Sequence, residues 1–334
     1  MTRSKVPIIV GLVAVAILLV YVFQTESEVT SPDLAKKPLL IKTDPWPPFN
    51  ILYVAQEKGI FDKNGVEVEL DIQDYGAESM AVYSQQNFDG IMHAYTDIFT
   101  MNAIYDPSSV VYVIDFSIEG DFIISNFDSI EELKGKRIGV IEMYGFSYFF
   151  VLKALQSVGL DENDVELVTV PIGDMLTSIK SGEIDAGHSW NAADSLDPDV
   201  HVIAYAGDYS GIITDVISFK HSTIEQNPLA VEALVRSYSE VIEYCKINES
   251  ECARIISEKI GWSEKEVLLT FDSVQILNLE DNLEIMTNFE NPQSLYNSGK
   301  FISEALYELN QINELPDYDE TVDSGFVEKI LGRN

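Results

Sequence analysis

An α/β architecture with largely parallel sheets and a helical C-terminal part is what this sequence predicts. Three observations carry it. Between residues 39 and 208, strand-like runs alternate with segments of helical spacing. From Pro228 onward the pattern is mostly helical. A hydrophobic content of 46% in 334 residues suffices for one large or two medium domains with real cores.

The elements follow in order. Residues 6–23, VPIIVGLVAVAILLVYVF, hold 18 positions without a charge, the length of a spanning helix. Arg3 and Lys5 precede the run and Glu26 and Glu28 follow it, which keeps the N-terminus inside and sends the rest of the chain out. A cleaved signal peptide is the rival. It wants a shorter apolar run and a small-x-small cleavage site, and FQTESEV supplies no convincing one. No Cys follows the run, which excludes lipoprotein attachment. The expectation is an uncleaved transmembrane anchor with a polar tether to residue 37.

LLIKT at 39–43 is a strand signal, and FNILYVAQEKGIF has helical spacing with Gly59 as a stop. VEVELDIQDY at 66–75 alternates as a strand does, ESMAVYSQQN at 78–87 reads as a helix and DGIMHAY as a strand. Residues 110–116 and 121–126 are strands. SIEELKG at 129–135 is a short helix with Ser129 as N-cap and Glu132 at the capping-box position. KRIGVIE is a strand, SYFFVLKALQSVGL a helix ending near Gly159, VELVTVP a strand, DMLTSIKSG a helix, and EIDAGHSW and VHVIAYAGD strands. Residues 79–97 and 174–194 share one plan: a short helix, a small turn, then an Asp that opens a strand. Units so alike, about a hundred residues apart, fit two lobes on similar plans, although βα units also resemble one another by chance.

Composition excludes some functions. With 21 basic and 55 acidic residues and a net charge of −34, the chain has no basic patch with which to bind nucleic acid. It carries no G-x-S-x-G elbow, phosphate-binding loop, dinucleotide fingerprint or H-E-x-x-H. His93 and His188 follow the two echoed Asp residues, where hydrogen-bonded core histidines are the plain reading. Cys245 and Cys252 are the only cysteines. They form a disulfide or stand as two ordinary helical thiols, and no metal cluster accompanies them. Asn248-Glu249-Ser250 is a glycosylation sequon on the same stretch.

What remains is a binding surface. In α/β sheets ligands sit beyond the carboxyl ends of the strands. The segments that fall there are 44–53, 73–79, 95–100, 115–122, 142–147, 189–194 and 207–215. They are rich in aromatics and carboxylates and contain no Lys or Arg. Gly145 and Ser147 sit at a helix start, where backbone N–H groups can hold a polar ligand atom or Ser147 simply caps the helix.

The order PPFNILYVAQEKGIFDKNGVEVEL, a turn at Gly76, FDG, SIEELKGKRIGV and IKSGEIDAG resembles the solute-binding proteins of nitrate, sulfonate, taurine and thiamine-precursor ABC importers. The resemblance covers residues 39 to 310. It implies the type II periplasmic-binding-protein fold: a first lobe of residues 38–125 and 212–334, and a second of 126–211, closing on a hinge. It implies a small-molecule ligand, permease and ATPase partners, no cofactor and no catalysis, with the binding domain extracytoplasmic on its anchor. Carried over, the family's ligand positions are Trp46, Phe49, Tyr53, Tyr95, Thr96, Asp97, Tyr144, Gly145, Ser147, Trp190 and Asn191. Asn87-Phe88 stands where many relatives have Gly in the turn before Asp89. A cleft without cations suits a thiamine-precursor pyrimidine or similar heterocycle better than nitrate, taurine or another sulfonate, the runner-up. A pyrimidine-synthesising enzyme of the same fold is disfavoured. Those enzymes resemble the chain near residue 49 but carry a His there, where this chain has Phe49, and their cysteine-rich motif is missing. A tethered sensor would need its output module on another chain.

Overall fold

The computed structural model describes residues 37–72 and 88–333. The expected anchor and tether, and the helix expected at 78–87, lie outside them. Among the described residues no helix is long and apolar enough to cross a membrane.

In chain order the strands are β1 (Leu39–Thr43), β2 (Val68–Ile72), β3 (Gly90–Ala94) and β4 (Ser108–Ser117). Then come β5 (Phe122–Ser125), β6 (Arg137–Val140), β7 (Glu166–Thr169), β8 (Ala186–Ser189) and β9 (His201–Tyr205). β10 (Thr214–Lys220) and β11 (Val274–Ile276) close the series. Between them lie α1 (Ile51–Glu57), α2 (Ile60–Asn64), α3 (Asp97–Ile104), α4 (Phe146–Ser157), α5 (Met175–Ser181) and α6 (Ala192–Ser195). The C-terminal layer is α7 (His221–Gln226), α8 (Pro228–Ile247), α9 (Glu249–Ile260), α10 (Glu264–Asp272), α11 (Leu279–Thr287), α12 (Leu295–Glu308), α13 (Tyr318–Thr321) and α14 (Gly325–Ile330).

The strands make two sheets, in the orders β11-β4-β10-β3-β1-β2 and β7-β6-β8-β5-β9. All ten residues of β4 and all seven of β10 are buried. That is why Val110 to Ile114 reads as one apolar run rather than an alternation: both faces are covered. β2, at the sheet edge, is only partly buried. The helical C-terminal part packs back on the first sheet. α8 carries Pro at its first turn, where the missing N–H costs nothing, and lies against α1, α2, α9 and α14.

The echoed segments become β3 and β8, which hold matching places. Each lies parallel to one neighbour and antiparallel to the other, β1 and β10 in the first sheet, β6 and β5 in the second. The two Asp residues do the same work. Asp89 accepts from the Leu40 N–H at 2.8 Å, and Asp185 from the Arg137 N–H at 2.9 Å. Each carboxylate clips the start of the parallel neighbour, satisfying a donor the ladder leaves over.

Sheet membership changes between Ser117 and Phe122, and again between Tyr205 and Thr214. β5, which precedes the expected boundary at residue 125, pairs with β8 and β9. The two crossing segments are bonded to each other. The Gly207 N–H donates to the Ile118 carbonyl and the Ala206 N–H to the Asp121 carbonyl, both at 2.9 Å. A Cβ at Gly207 would lie 2.8 Å from the Ile118 oxygen, so the approach needs glycine.

Three local readings differ from expectation or are resolved. Residues 130–133 form a 3-10 turn, and Ser129 does not cap it. Glu132 accepts instead from the Asp128 N–H. Cys245 and Cys252 form a disulfide that joins the last turn of α8 to the first of α9. The sequon is not on an open loop: the Asn248 amide donates to the Tyr244 carbonyl at 2.9 Å, at the tight junction of the same helices.

Candidate functional site

β1 ends at Thr43 because Pro45, Pro47 and Pro48 cannot continue its ladder. The loop that follows is tied by Asn50, which is fully buried. Its amide donates to the carbonyls of Asp44 and Trp46, at 2.7 and 2.8 Å. Asp44 accepts from the Trp46 N–H at 2.8 Å. This knot presents Asp44, Trp46 and Phe49 to a cavity at the carboxyl end of the strand.

Trp190 and Phe146 enter from the second sheet's side, stacked at 5.8 Å between centroids and 26° between planes. Trp262 comes from the turn between α9 and α10. All three tryptophans of the chain thus line one cavity. The space open to water centres is about 60 Å³, room for about five waters.

The polar lining is acidic. Asp44, Asp121 and Asp215 line the cavity, and among the described residues no Lys or Arg does. Behind them lie Asp97 and Asp115, both buried, and Glu142. Burial pushes the Asp44 carboxyl up to about 7; the Trp46 N–H partly offsets this and the Asp97 charge adds to it. Burial also holds Asp115 well above the carboxylate range, helped by Asp121. The same holds for Asp215, where Asp115, Asp121, Asp44 and Asp97 add to burial. Asp115 and Asp215 are directly opposed partners on antiparallel strands, which sets their side chains on one face. The buried indole N–H of Trp46 is the donor nearest Asp115 and partly offsets the effect of burial on it. Asp121 is engaged: His188 Nε2 lies 2.8 Å from its carboxylate, while His188 Nδ1 lies 2.9 Å from the Ser147 hydroxyl. The Asp121 carboxylate accepts, so a neutral His188 donates from Nε2 and accepts at Nδ1 from the Ser147 hydroxyl, which in turn accepts from the Ile141 N–H.

Of the residues expected from sequence, Trp46, Phe49 and Trp190 line the cavity. Ser147 is fully buried and spent on Ile141 and His188. The start of α4 holds the chain's own Glu142: the Ser147 N–H points to that carboxylate at 3.4 Å, and a Cβ at Gly145 would meet it. Tyr144, at φ +68°, packs edge-on to Tyr148. Tyr95 is buried edge-on to Phe99. Thr96 is buried beside Asp97, whose charge acts on Asp44, Asp215 and Glu142. Asn191 caps α6. Tyr53 faces a separate groove along β2, with the Lys259 ammonium 5.3 Å from its ring centre.

Trp262 was missed by sequence reasoning, as were the individual weights of Asp121 and Asp215. A signal for Trp262 existed. It sits between Gly261, left-handed at φ 79°, and Ser263, which opens a capping box with Glu266. A large aromatic held between a helix stop and a helix start is a loop position, where binding residues concentrate.

The NMT1/THI5-like family model matches residues 46–251. A Haemophilus influenzae protein provisionally named for thiamine biosynthesis is 30% identical over 171 residues, covering 47% of this chain and 51% of that protein. The chain thus spans about half the length of this curated relative. Among solved structures, the periplasmic aliphatic sulphonate-binding protein of Escherichia coli superposes with a TM-score of 0.69 at 15% identity, over 87% of this chain and 99% of that one. The periplasmic nitrate-binding protein of Synechocystis PCC 6803 gives 0.65 at 15% identity, over 88% and 89%. The fold is that of periplasmic binding proteins, and the match across residues 46–251 shows that the chain belongs to the NMT1/THI5-like family.

Proposed function

We propose that this protein is the extracytoplasmic solute-binding component of an ABC importer, capturing a flat nitrogen heterocycle such as a thiamine-precursor pyrimidine. One observation carries the ligand class: every tryptophan of the chain lines a cavity whose charged groups are carboxylates. Indole faces suit a planar ring, and uncompensated carboxylates favour ring N–H and amino donors. The relative named for thiamine biosynthesis agrees with this ligand class.

The ligand is held between the first sheet, with Trp46, Phe49 and Asp215, and the second, with Phe146 and Trp190, while Trp262 closes one side. Closure buries the ring and shifts the open–closed equilibrium, and the closed form docks on a permease. Residues 6–23 would anchor it to the membrane, and a disulfide agrees with an oxidising compartment.

Nitrate or a sulfonate is the second reading, and the names of the solved relatives favour it. Against it, the start of α4 already holds Glu142, and the described lining supplies no cation to an anion. Mass spectrometry of ligand released from the purified protein, with calorimetry against aminopyrimidines, taurine and nitrate, decides between them. The expected result is a heterocycle bound and no response to either anion. Binding confined to the anions would sink the heterocycle reading.

A further inference from the structure

We infer that the cavity selects a planar organic monocation, whose charge rests against Asp215 and whose entry expels one proton from the Asp215–Asp115 pair. This deepens the capture function proposed above and rests on it.

The geometry sets the terms. Asp215 faces Ala94 on one side and Asp115 on the other, in register across three adjacent strands. Ala94 and Asp215 both line the cavity, so Asp215 is the member of the pair that a ligand touches. Asp115 stands beside it in the ladder, fully buried, with the neutral Trp46 indole as its donor and no cation against it among the described residues. Two carboxylates opposed in a dry sheet do not both ionise without a counter-charge.

The surroundings supply none among the described residues. Asp44 ends β1, Asp97 opens α3, Asp121 lies on the crossover, and Glu142 follows β6. The neutral groups are the Trp46 indole, and Tyr238 of α8, whose hydroxyl donates to the Pro48 carbonyl at 3.0 Å. His188 is committed to Asp121 and Ser147. Empty, the pair keeps a proton; burial raises both groups, in agreement. A cation set between the indole faces removes the reason to keep it. The balance is ligand cation plus protonated pair giving the ion-paired complex and one free proton. An amide, lacking the charge, cannot displace that proton, and an anion meets carboxylates on every polar side. Trp46, Trp190 and Trp262 favour the cation independently, through their ring faces.

Three probes of one shape and different charge test this on the full chain: benzamidine, benzamide and benzoate. Calorimetry at pH 7 in buffers of different ionisation enthalpy should show benzamidine binding with release of about one proton. Its affinity should exceed that of benzamide by tenfold or more. Asp215→Asn should weaken benzamidine at least tenfold without lowering the melting temperature. Benzamide or benzoate binding as tightly, binding of benzamidine without proton release, or an unaffected Asp215→Asn variant would overturn the inference. If no probe binds, the ligand that co-purifies is the arbiter. A cation supports the inference, and a neutral or anionic molecule ends it while leaving capture standing. If nothing binds or co-purifies, the capture reading fails, and this one with it.

Discussion

Trp262 shows how a single side chain changes the reading of the site. Trp46 and Trp190 come from strand ends of the two sheets, but Trp262 is delivered by the helical layer, on a turn between Gly261 and Ser263. It makes the helical layer part of the cavity wall, so this layer does more than cover the first sheet. Trp262→Ala should weaken the native ligand about tenfold, as loss of one stacking face does, while circular dichroism and melting temperature stay unchanged. An affinity equal to wild type would remove Trp262 from the site. Part of the cavity lining was legible beforehand. Trp46, Phe49 and Trp190 follow from strand ends and prolines. Ser147 and Gly145 did not, because sequence cannot tell whether a helix start is vacant or holds a carboxylate five residues back.

At the scale of elements, Asn282 of α11 settles where β4 bends. The ladder between β10 and β4 passes from Asp115 to Val113 and skips Ile114. This bulge sits beside Asp115 and helps aim it. On the other edge β11 pairs with β4 only from Asp115 to Ser117, which leaves Val113 with groups to satisfy there. Asn282, fully buried, accepts from the Val113 N–H and donates to the Val113 and Asn278 carbonyls. Asn282→Ala should cost about 2–3 kcal/mol in denaturant unfolding, the value of leaving buried backbone groups unpaired. A change below about 0.5 kcal/mol would show that water replaces the amide. The strand itself was legible as an apolar run, but the bulge and its amide plug were not, since they depend on a helix more than 160 residues away, as the 169-residue separation of the contact shows. The repeated Asp was visible as an echo. Its role as a clip on the neighbouring strand became clear only once β1 and β6 were seen alongside β3 and β8.

For the whole molecule, the acidic cavity inverts the usual dependence of stability on pH. Asp44 titrates at 3.8 unfolded and at about 7 folded, so the native state holds the extra proton between those values. The stability it confers is fully present below about pH 4 and is lost as pH rises to about 7. Asp115 and Asp215 act in the same direction. Paired surface carboxylates such as Asp164 and Glu232 act oppositely, since their lowered values favour folding above the ordinary carboxylate range. Their window lies below about pH 5, while buried His93, lowered from 6.5 to about 3 by burial, opposes Asp44 up to about pH 6.5 and is outweighed only by Asp44, Asp115 and Asp215 together. Ligand-free protein should therefore melt a few degrees higher at pH 5.5 than at pH 7.5, and Asp44→Asn should shrink the difference. A melting temperature that rises between those two values would show that Asp44 is ionised in the empty protein.

The two connections that pass between the sheets have a mechanical meaning. The Gly207–Ile118 and Ala206–Asp121 bonds sew them into one strap, so neither can twist alone without tearing a stitch. The first of them is also held to the helical layer, since the Ile118, Glu119 and Gly120 N–H groups all donate to the Ser273 carbonyl. Position 207 lies at the seam, where any side chain would act as a wedge against the Ile118 carbonyl.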